Sequence, residues 1–168
     1  MNYVFLCLLS FLSFSCVGYR FGGTKPPSLA EVKTISIPMF ANDTMEPRAE
    51  ALATSAVANA FTQDGTYRIV GSDKADAILE GRIGTINYTT LRSSRIDALL
   101  AEELNNQVTI HWVLKDAKDP TKVLASGSSL GQSRFFADSN FQTARRNALP
   151  DALARAGQNL VSRLSSGY

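Results

Sequence analysis

The segment 107–115, QVTIHWVLK, has the clearest alternation in the chain: Val108, Ile110, Trp112 and Leu114 are apolar and the residues between them are mixed. Because successive side chains of a β-strand point to opposite faces, this spacing predicts a strand with one buried face. Related patterns predict further strands at Val32–Phe40, Ala77–Tyr88 and Val123–Phe135, and a short one at Tyr67–Val70. In 77–88 the apolar residues switch from odd to even positions, so we expect a β-bulge near Gly84 that keeps them on one face.

Two other segments space their apolar residues three and four apart, which is typical of an amphipathic helix. The first runs from Arg48 to Asp64, with Thr44 as a candidate cap at its start and Gly65 at its end. The second follows Ser139 or Asn140, and Pro150 should either kink it or mark its true start. The order β-α-β-β-β-α predicts an α+β fold: a mostly antiparallel four-stranded sheet with two helices packed on one face.

The start of the chain has the composition of a targeting segment. Residues 3–14, YVFLCLLSFLSF, are apolar and uncharged, yet too short to span a membrane as a helix. Ser15-Cys16 ends this run and is similar to a bacterial lipoprotein cleavage site, in which Cys16 becomes the lipid attachment residue. Ser13 replaces the leucine usual at such sites, so an ordinary secretory signal stays open as the alternative.

The leader and the body of the chain are separated by a glycine- and proline-rich stretch, GYRFGGTKPPS. We therefore expect a signal peptide at 1–15, a lipidated flexible tether at 16–30 and a single α+β domain at 31–168. Three acyl chains on Cys16 would hold that domain at a membrane surface. Val17, rather than Asp, follows the cysteine, which favours sorting to the periplasmic side of the outer membrane.

Composition excludes several classes of function. The net charge of +2 is too balanced for a nucleic-acid-binding face. The two cysteines, Cys7 and Cys16, both lie at the start of the chain, and His111 is the only histidine, so we expect no metal, no cofactor and no thiol chemistry. Residues 127–131, GSSLG, match a nucleophile-elbow pattern, but they lie in a predicted strand and His111 precedes them. We expect no catalytic residue and no enzymatic activity.

The order of these segments resembles the LptE family of lipopolysaccharide-assembly outer-membrane lipoproteins. The similar features are the cysteine followed by GYRFGG, the strand VKTISIPMFAN leading into TMEPRAEALATSAVANAF, and then ADAILEGRI, QVTIHWVLKD and DALARAGQNLVSRL. Together they cover nearly the whole chain after the leader. The resemblance implies a protein that sits with a large outer-membrane β-barrel (LptD-like), partly in its lumen, and assists barrel assembly and delivery of lipopolysaccharide to the outer leaflet.

The long connection 88–106, YTTLRSSRIDALLAEELNN, holds the candidate contact residues. Arg92 and Arg95 lie beside an apolar strip that includes Leu99 and Leu100, which would suit phosphorylated lipid head groups or a barrel wall. The alternative is a solvated tip whose leucines pack on the sheet. Arg134, Arg145 and Arg146 form a second basic group, for which a solvated role is the simpler reading.

A different class of function also stays open: a lipoprotein that reaches from the membrane to regulate a periplasmic cell-wall synthase. Such a regulator needs a long disordered spacer. Here roughly fifteen residues separate Cys16 from the first strand, at most about 50 Å when fully extended. That short span favours a role close to the membrane.

Overall fold

The computed structural model describes residues 25–92, 102–137 and 140–166. They form a six-stranded mixed sheet and two α-helices. In chain order the elements are β1 (Thr34–Ser36), β2 (Ala41–Asn42), α1 (Ala49–Asp64), β3 (Arg68–Ile69), β4 (Ala77–Arg92), β5 (Glu102–Asp116), β6 (Val123–Ala137) and α2 (Phe141–Ser166).

The three long strands form an antiparallel meander in which β5 lies between β4 and β6. This confirms the strands predicted at 77–88, 107–115 and 123–135, each of which extends a few residues further than its apolar pattern. The pairing of β4 with β5 shifts register between Ile83 and Thr85, so the bulge predicted near Gly84 is present. It lets Ile86 and Tyr88 follow Leu79 and Ile83 on the same face of the sheet.

The other side of the sheet corrects the prediction of four mostly antiparallel strands. Here β1 lies between β3 and β4 and is parallel to both, and β2 is parallel to β4 as well. The predicted strand Val32–Phe40 is shorter and broken, because Pro38 has no N–H for the ladder. Parallel pairing needs a crossover connection, and α1 supplies it between β1 and β3.

The start of β1 is held to β4 by an aspartate that precedes β4. Oδ2 of Asp76 accepts hydrogen bonds from the backbone N–H groups of Lys33 and Thr34 and from the Thr34 hydroxyl, at 3.0, 2.9 and 2.8 Å. The backbone N–H of Asp76 in turn donates to the Thr34 carbonyl oxygen, at 3.1 Å. These bonds lower the pKa of the Asp76 carboxyl, first through the Lys33 N–H and then through Thr34.

Helix α1 ends as the sequence predicts, at Gly65, whose φ of 72° is left-handed and whose N–H donates to the carbonyl of Phe61. Its start differs. Arg48, at φ 67°, precedes the first helical residue and its side chain caps nothing, whereas Thr44 accepts a hydrogen bond from the N–H of Glu46. Thr44 therefore orders the loop before the helix, and the cap predicted there is wrong.

Helix α2 begins at Phe141, and Oδ1 of Asn140 accepts a hydrogen bond from the N–H of Thr143 at 3.3 Å. Of the two predicted caps, Asn140 therefore fills the role by its contacts, while Ser139 lies outside the described residues. Pro150 lies inside the helix, so it does not mark the start.

Both helices share one core on one side of the sheet, here called the covered face. Leu79 and Ile83 of β4, Ile110 and Leu114 of β5, and the α2 stripe are buried there; the stripe includes Ala152, Leu153, Ala156, Leu160 and Leu164. The opposite side, the open face, carries the intervening side chains. Among the described residues no helix is both long and apolar enough to cross a membrane.

Candidate functional site

The GSSLG segment lies in β6, and its small residues serve packing. Gly127 leaves room for the indole of Trp112, since a Cβ there would come within 2.8 Å of that ring. Ser129 is 1% exposed and its Oγ accepts a hydrogen bond from Nε1 of Trp112 at 3.1 Å. At Gly131 a Cβ would overlap the backbone of α2 at Ala152 and Ala156, so glycine permits the close approach of helix and sheet. The segment is a strand and has none of the strand-to-helix geometry of a nucleophile elbow.

His111 and Trp112 point to opposite faces, as the alternation predicts. Trp112 is buried on the covered face, whereas His111 is exposed on the open face, where its ring lies against Gly84. A hollow of about 740 Å³ lies beside it, lined by residues that include Met39, Arg82 and Ser128. Within the described residues, no three His, Cys, Asp or Glu side chains group as metal ligands would.

The candidate contact site is at one end of the sheet, here called the distal end. It consists of the last residues of β4 and β6, the first residues of β5 and the first turns of α2. Three apolar side chains are exposed there: Leu91 is 46% exposed, Phe136 64% and Phe141 38%. Phe136 lies on the open face, whereas Phe141 lies near Phe135 on the covered face. Large apolar side chains left in contact with water mark candidate interaction surfaces when they adjoin one another.

Beneath these side chains lies a small apolar cluster separate from the main core. Leu104, Phe135 and Ala148 form it, with Tyr88 and Ala144 packed against them. The rings of Tyr88 and Phe135 meet edge to face at 6.2 Å, and Phe141 extends the cluster to the surface at 6.3 Å from Phe135. On the covered face the exposed ring of Phe141 is therefore supported by a packed base.

Arg145 joins the distal end to the loop before α1. Its Nη2 lies 2.7 Å from Oε2 of Glu46, and its guanidinium carbon lies 4.3 Å from the centre of the Tyr88 ring. Contact with Tyr88 and Glu46 raises the pKa of Arg145, while burial raises the pKa of Tyr88. Arg145 is thus a partly buried structural cation, and the solvated role expected for it is wrong. Arg134 keeps that role: its side chain is 75% exposed and lies 3.8 Å from Glu103.

A row of buried polar atoms separates the distal cluster from the main core. Asn106 is 0% exposed, and among the described residues neither its amide nitrogen nor its oxygen finds a hydrogen-bond partner. The same holds for the Tyr88 hydroxyl and for Nε of Arg145. Next to them the Ser133 hydroxyl donates to the carbonyl of Ala148 at 2.7 Å. This row was not predicted, because the polar Asn106 lies outside the apolar alternation that begins at Val108.

The structure locates only part of the predicted contact site. Arg92 is the last residue of β4, and its backbone is in register with Glu103 of β5. Arg95, Leu99 and Leu100 lie outside the described residues, as do Cys16 and most of the predicted tether. The segment that carries the three residues is nevertheless bounded by the distal end, because it connects β4 with β5.

Comparison with known proteins gives one family and one fold. The model of the LptE family, described as lipopolysaccharide assembly, matches residues 32–164. Among curated proteins no relative matches. The chain is similar in structure to a protein from Xanthomonas campestris, with a TM-score of 0.56 and 15% identity over 84% of this chain and 90% of that one. It is also similar to a minor lipoprotein from Acinetobacter baumannii, with a TM-score of 0.54 and 10% identity over 79% and 91%. At these identities the structures show a shared fold alone.

Proposed function

The chain belongs to the LptE family of lipopolysaccharide-assembly proteins, and from this premise we propose that it is an outer-membrane lipoprotein that partners a large β-barrel (LptD-like) in lipopolysaccharide transport. In this proposal it acts as a plug or assembly factor and binds rather than catalyses. The single observation that carries the proposal is the family match over residues 32–164. It spans all of the strands, the whole of α1, and α2 except for its last two residues.

We propose that Cys16 carries the acyl chains and that the domain faces the periplasm from the outer membrane. A lipid anchor with more than one chain gives stable attachment, since each buried CH₂ contributes about 0.8 kcal/mol. The test is incorporation of labelled palmitate into the full chain and into Cys16→Ser. Label in the parent and none in the variant is expected; equal labelling, or none in either, would reject the anchor.

The proposed contact with lipopolysaccharide or with the barrel lies at the distal end, through Arg92, Arg95, Leu99 and Leu100. Support comes from the residues around them, because Leu91 and Phe136 are exposed at the same end of the sheet. Apolar side chains next to arginines match the two halves of a phosphorylated amphiphile: acyl chains and phosphate oxygens.

A charge-reversal experiment tests this assignment. The double variant Arg92→Glu and Arg95→Glu should bind lipopolysaccharide at least fivefold more weakly than the parent. The matched control is Arg68→Glu with Arg163→Glu, which changes the net charge equally at two exposed positions in β3 and at the end of α2. Equal loss in both double variants would indicate unspecific charge attraction and would remove the site assignment.

The partnership itself is tested by purifying the tagged full chain from detergent-extracted membranes and identifying its partners by mass spectrometry. A stoichiometric outer-membrane barrel is expected. Recovery of a periplasmic cell-wall synthase instead would revive the regulator alternative, which the family match does not favour.

A further inference from the structure

The outer edge of β6 is a long strand edge with few partners. The backbone of β6 pairs with β5 along its whole length, and among residues 25–92, 102–137 and 140–166 no strand lies on its other side. In an antiparallel pair the N–H and C=O of one residue point to the same side, and successive residues alternate. Every second residue of β6 therefore directs both backbone groups away from the sheet.

One hydrogen bond identifies which residues these are. The N–H of Asp116 donates to the carbonyl of Lys122 at the hairpin, so the even-numbered residues of β5 face β6. They pair with Gly127, Ser129 and Gly131, whose backbone groups are thereby used. Between residues 128 and 136, the backbone groups that point away from β5 belong to Ser128, Leu130, Gln132, Arg134 and Phe136. All five residues are exposed.

One side chain already occupies this edge in the manner of an added strand. Nδ2 of Asn159, on α2, donates to the carbonyl oxygen of Leu130 at 2.7 Å. Among the described residues it is the one hydrogen bond to an outward backbone group between Ser128 and Phe136. The Asn159 amide thus stands where the N–H of a neighbouring strand would stand.

Apart from the Asn159 contact and the charge of Arg134, the edge lacks the features that prevent strand addition. Natural edges are blunted by proline, lysine, bulges or a short length. From residue 125 to 137 β6 has no proline, no lysine and no register shift, and it alternates glycine and serine on the covered face up to Ser133. A hollow of about 460 Å³ lies along it, lined by Gln132, Arg134, Asp151 and Arg155 among others. An added strand, about 4.8 Å away, would place its side chains there.

We propose that the edge of β6 from Ser128 to Phe136 binds an extended, unpaired segment of the outer-membrane barrel's polypeptide by β-strand addition. This inference rests on the proposed function, which supplies the barrel. The segment must come from a loop or a periplasmic part of the barrel chain, since strands within a closed barrel have both edges paired.

Photo-crosslinking in native membranes tests the proposal with a matched control. Gln132 and Gln107 are register partners on the open face, one on the edge strand and one on the central strand. A benzophenone side chain at Gln132 of the full chain should crosslink to the barrel chain at least fivefold more than one at Gln107. Equal crosslinking at both positions would place the barrel over the open face and overturn edge binding.

A second measurement removes an outward backbone donor. Ser128→Pro deletes an N–H that the β5 ladder does not use, and Ser128→Ala keeps it. With folding checked by circular dichroism, Ser128→Pro should lower recovery of the barrel at least fivefold and Ser128→Ala should leave it unchanged. If Ser128→Pro fails to fold, the crosslinking ratio decides.

The remaining outcomes separate the edge from the proposed function. A barrel that co-purifies without crosslinking at Gln132 overturns the edge alone. Crosslinks at Gln132 that join two copies of this chain assign the edge to self-association and overturn the barrel as its occupant. Absence of any barrel from the extract overturns both proposals.

Discussion

The indole Nε1 of Trp112 donates a hydrogen bond of 3.1 Å to Oγ of Ser129, inside the core between the sheet and α2. Ser129→Ala would leave that N–H buried without an acceptor, which costs about 1–3 kcal/mol of the free energy of unfolding. Urea unfolding followed by tryptophan fluorescence measures it. Ser128→Ala, one residue away on the open face, should change stability by less than about 0.5 kcal/mol. Equal stabilities for the two variants would contradict the role assigned to Ser129.

Gly131 lets α2 approach the sheet, because a Cβ there would overlap the backbone of Ala152 and Ala156. Backbone cannot yield as a flexible side chain can, so Gly131→Ala should destabilise the fold by about 1–3 kcal/mol or more. Thermal unfolding compared with Gln132→Ala, an exposed neighbour, is the measurement. A Gly131→Ala protein as stable as this control would mean that helix and sheet are further apart than described.

The Tyr67 hydroxyl donates to the Leu164 carbonyl at 2.7 Å, and burial, followed by the charge of Asp64, raises its pKa to about 12. In the unfolded chain the pKa is near 10. The folded value is the higher one, so the stabilisation is complete below about pH 10 and is lost as the pH rises toward 12. Unfolding free energies measured between pH 8 and 11 should decline less steeply in Tyr67→Phe. An unchanged slope would contradict the buried phenol.

Removing the hydroxyl should lower the stability of the fold at Tyr67 but not at Tyr88. Tyr67→Phe removes a made hydrogen bond and should cost about 1 kcal/mol at pH 7. Tyr88→Phe removes a buried hydroxyl without a partner among the described residues, so stability should be unchanged or slightly higher. Parallel urea titrations compare the two. A loss of more than about 1 kcal/mol in Tyr88→Phe would show that the hydroxyl has a partner.

Asp76 makes the attachment of β1 sensitive to acid. Hydrogen bonds from Lys33 and Thr34 lower its pKa, so the stabilisation it gives is present above the unfolded value near 4 and is lost as the pH falls below it. Hydrogen exchange at the Thr34 amide should therefore rise between pH 4 and pH 3, after correction for the intrinsic rate. In Asp76→Asn that amide should be less protected already at neutral pH. Equal protection in both proteins would contradict the hydrogen bonds assigned to the Asp76 carboxylate.

The long strands and both helices could be predicted from the sequence because their signals are local. Alternation within β5 and β6 and the three-four spacing before Gly65 each need only neighbouring residues. Parallel pairing of β1 with β3 and β4 joins residues some forty positions apart, for example Ile35 with Ala77, and a single sequence carries no sign of it. The general rule that sequential strands pair therefore gave a sheet with too few strands and too little parallel character.

The candidate contact site stays a prediction, and only some of its surroundings could be read from the sequence. The long connection predicted at 88–106 is shorter than expected, because β4 continues to Arg92 and β5 begins at Glu102. Leu91 and Phe136 are exposed at that end of the sheet. The buried partners of that end were not predictable. Arg145 and Glu46, which form an ion pair, are 99 positions apart in the sequence. The Asn106 amide lacks a hydrogen-bond partner among the described residues because of the side chains that surround it in the fold, which the sequence pattern does not reveal. Arg95, Leu99 and Leu100 remain predictions.

The broken edge formed by β1, β2 and β3 limits how many molecules can add to one another through their sheets. Open-ended growth of a cross-β polymer requires every unit to offer two usable edges, one for each neighbour. On this side the outermost strand is only Arg68–Ile69, and Pro38 interrupts the strand segments behind it. A molecule that docks through β6 therefore terminates the sheet it has extended.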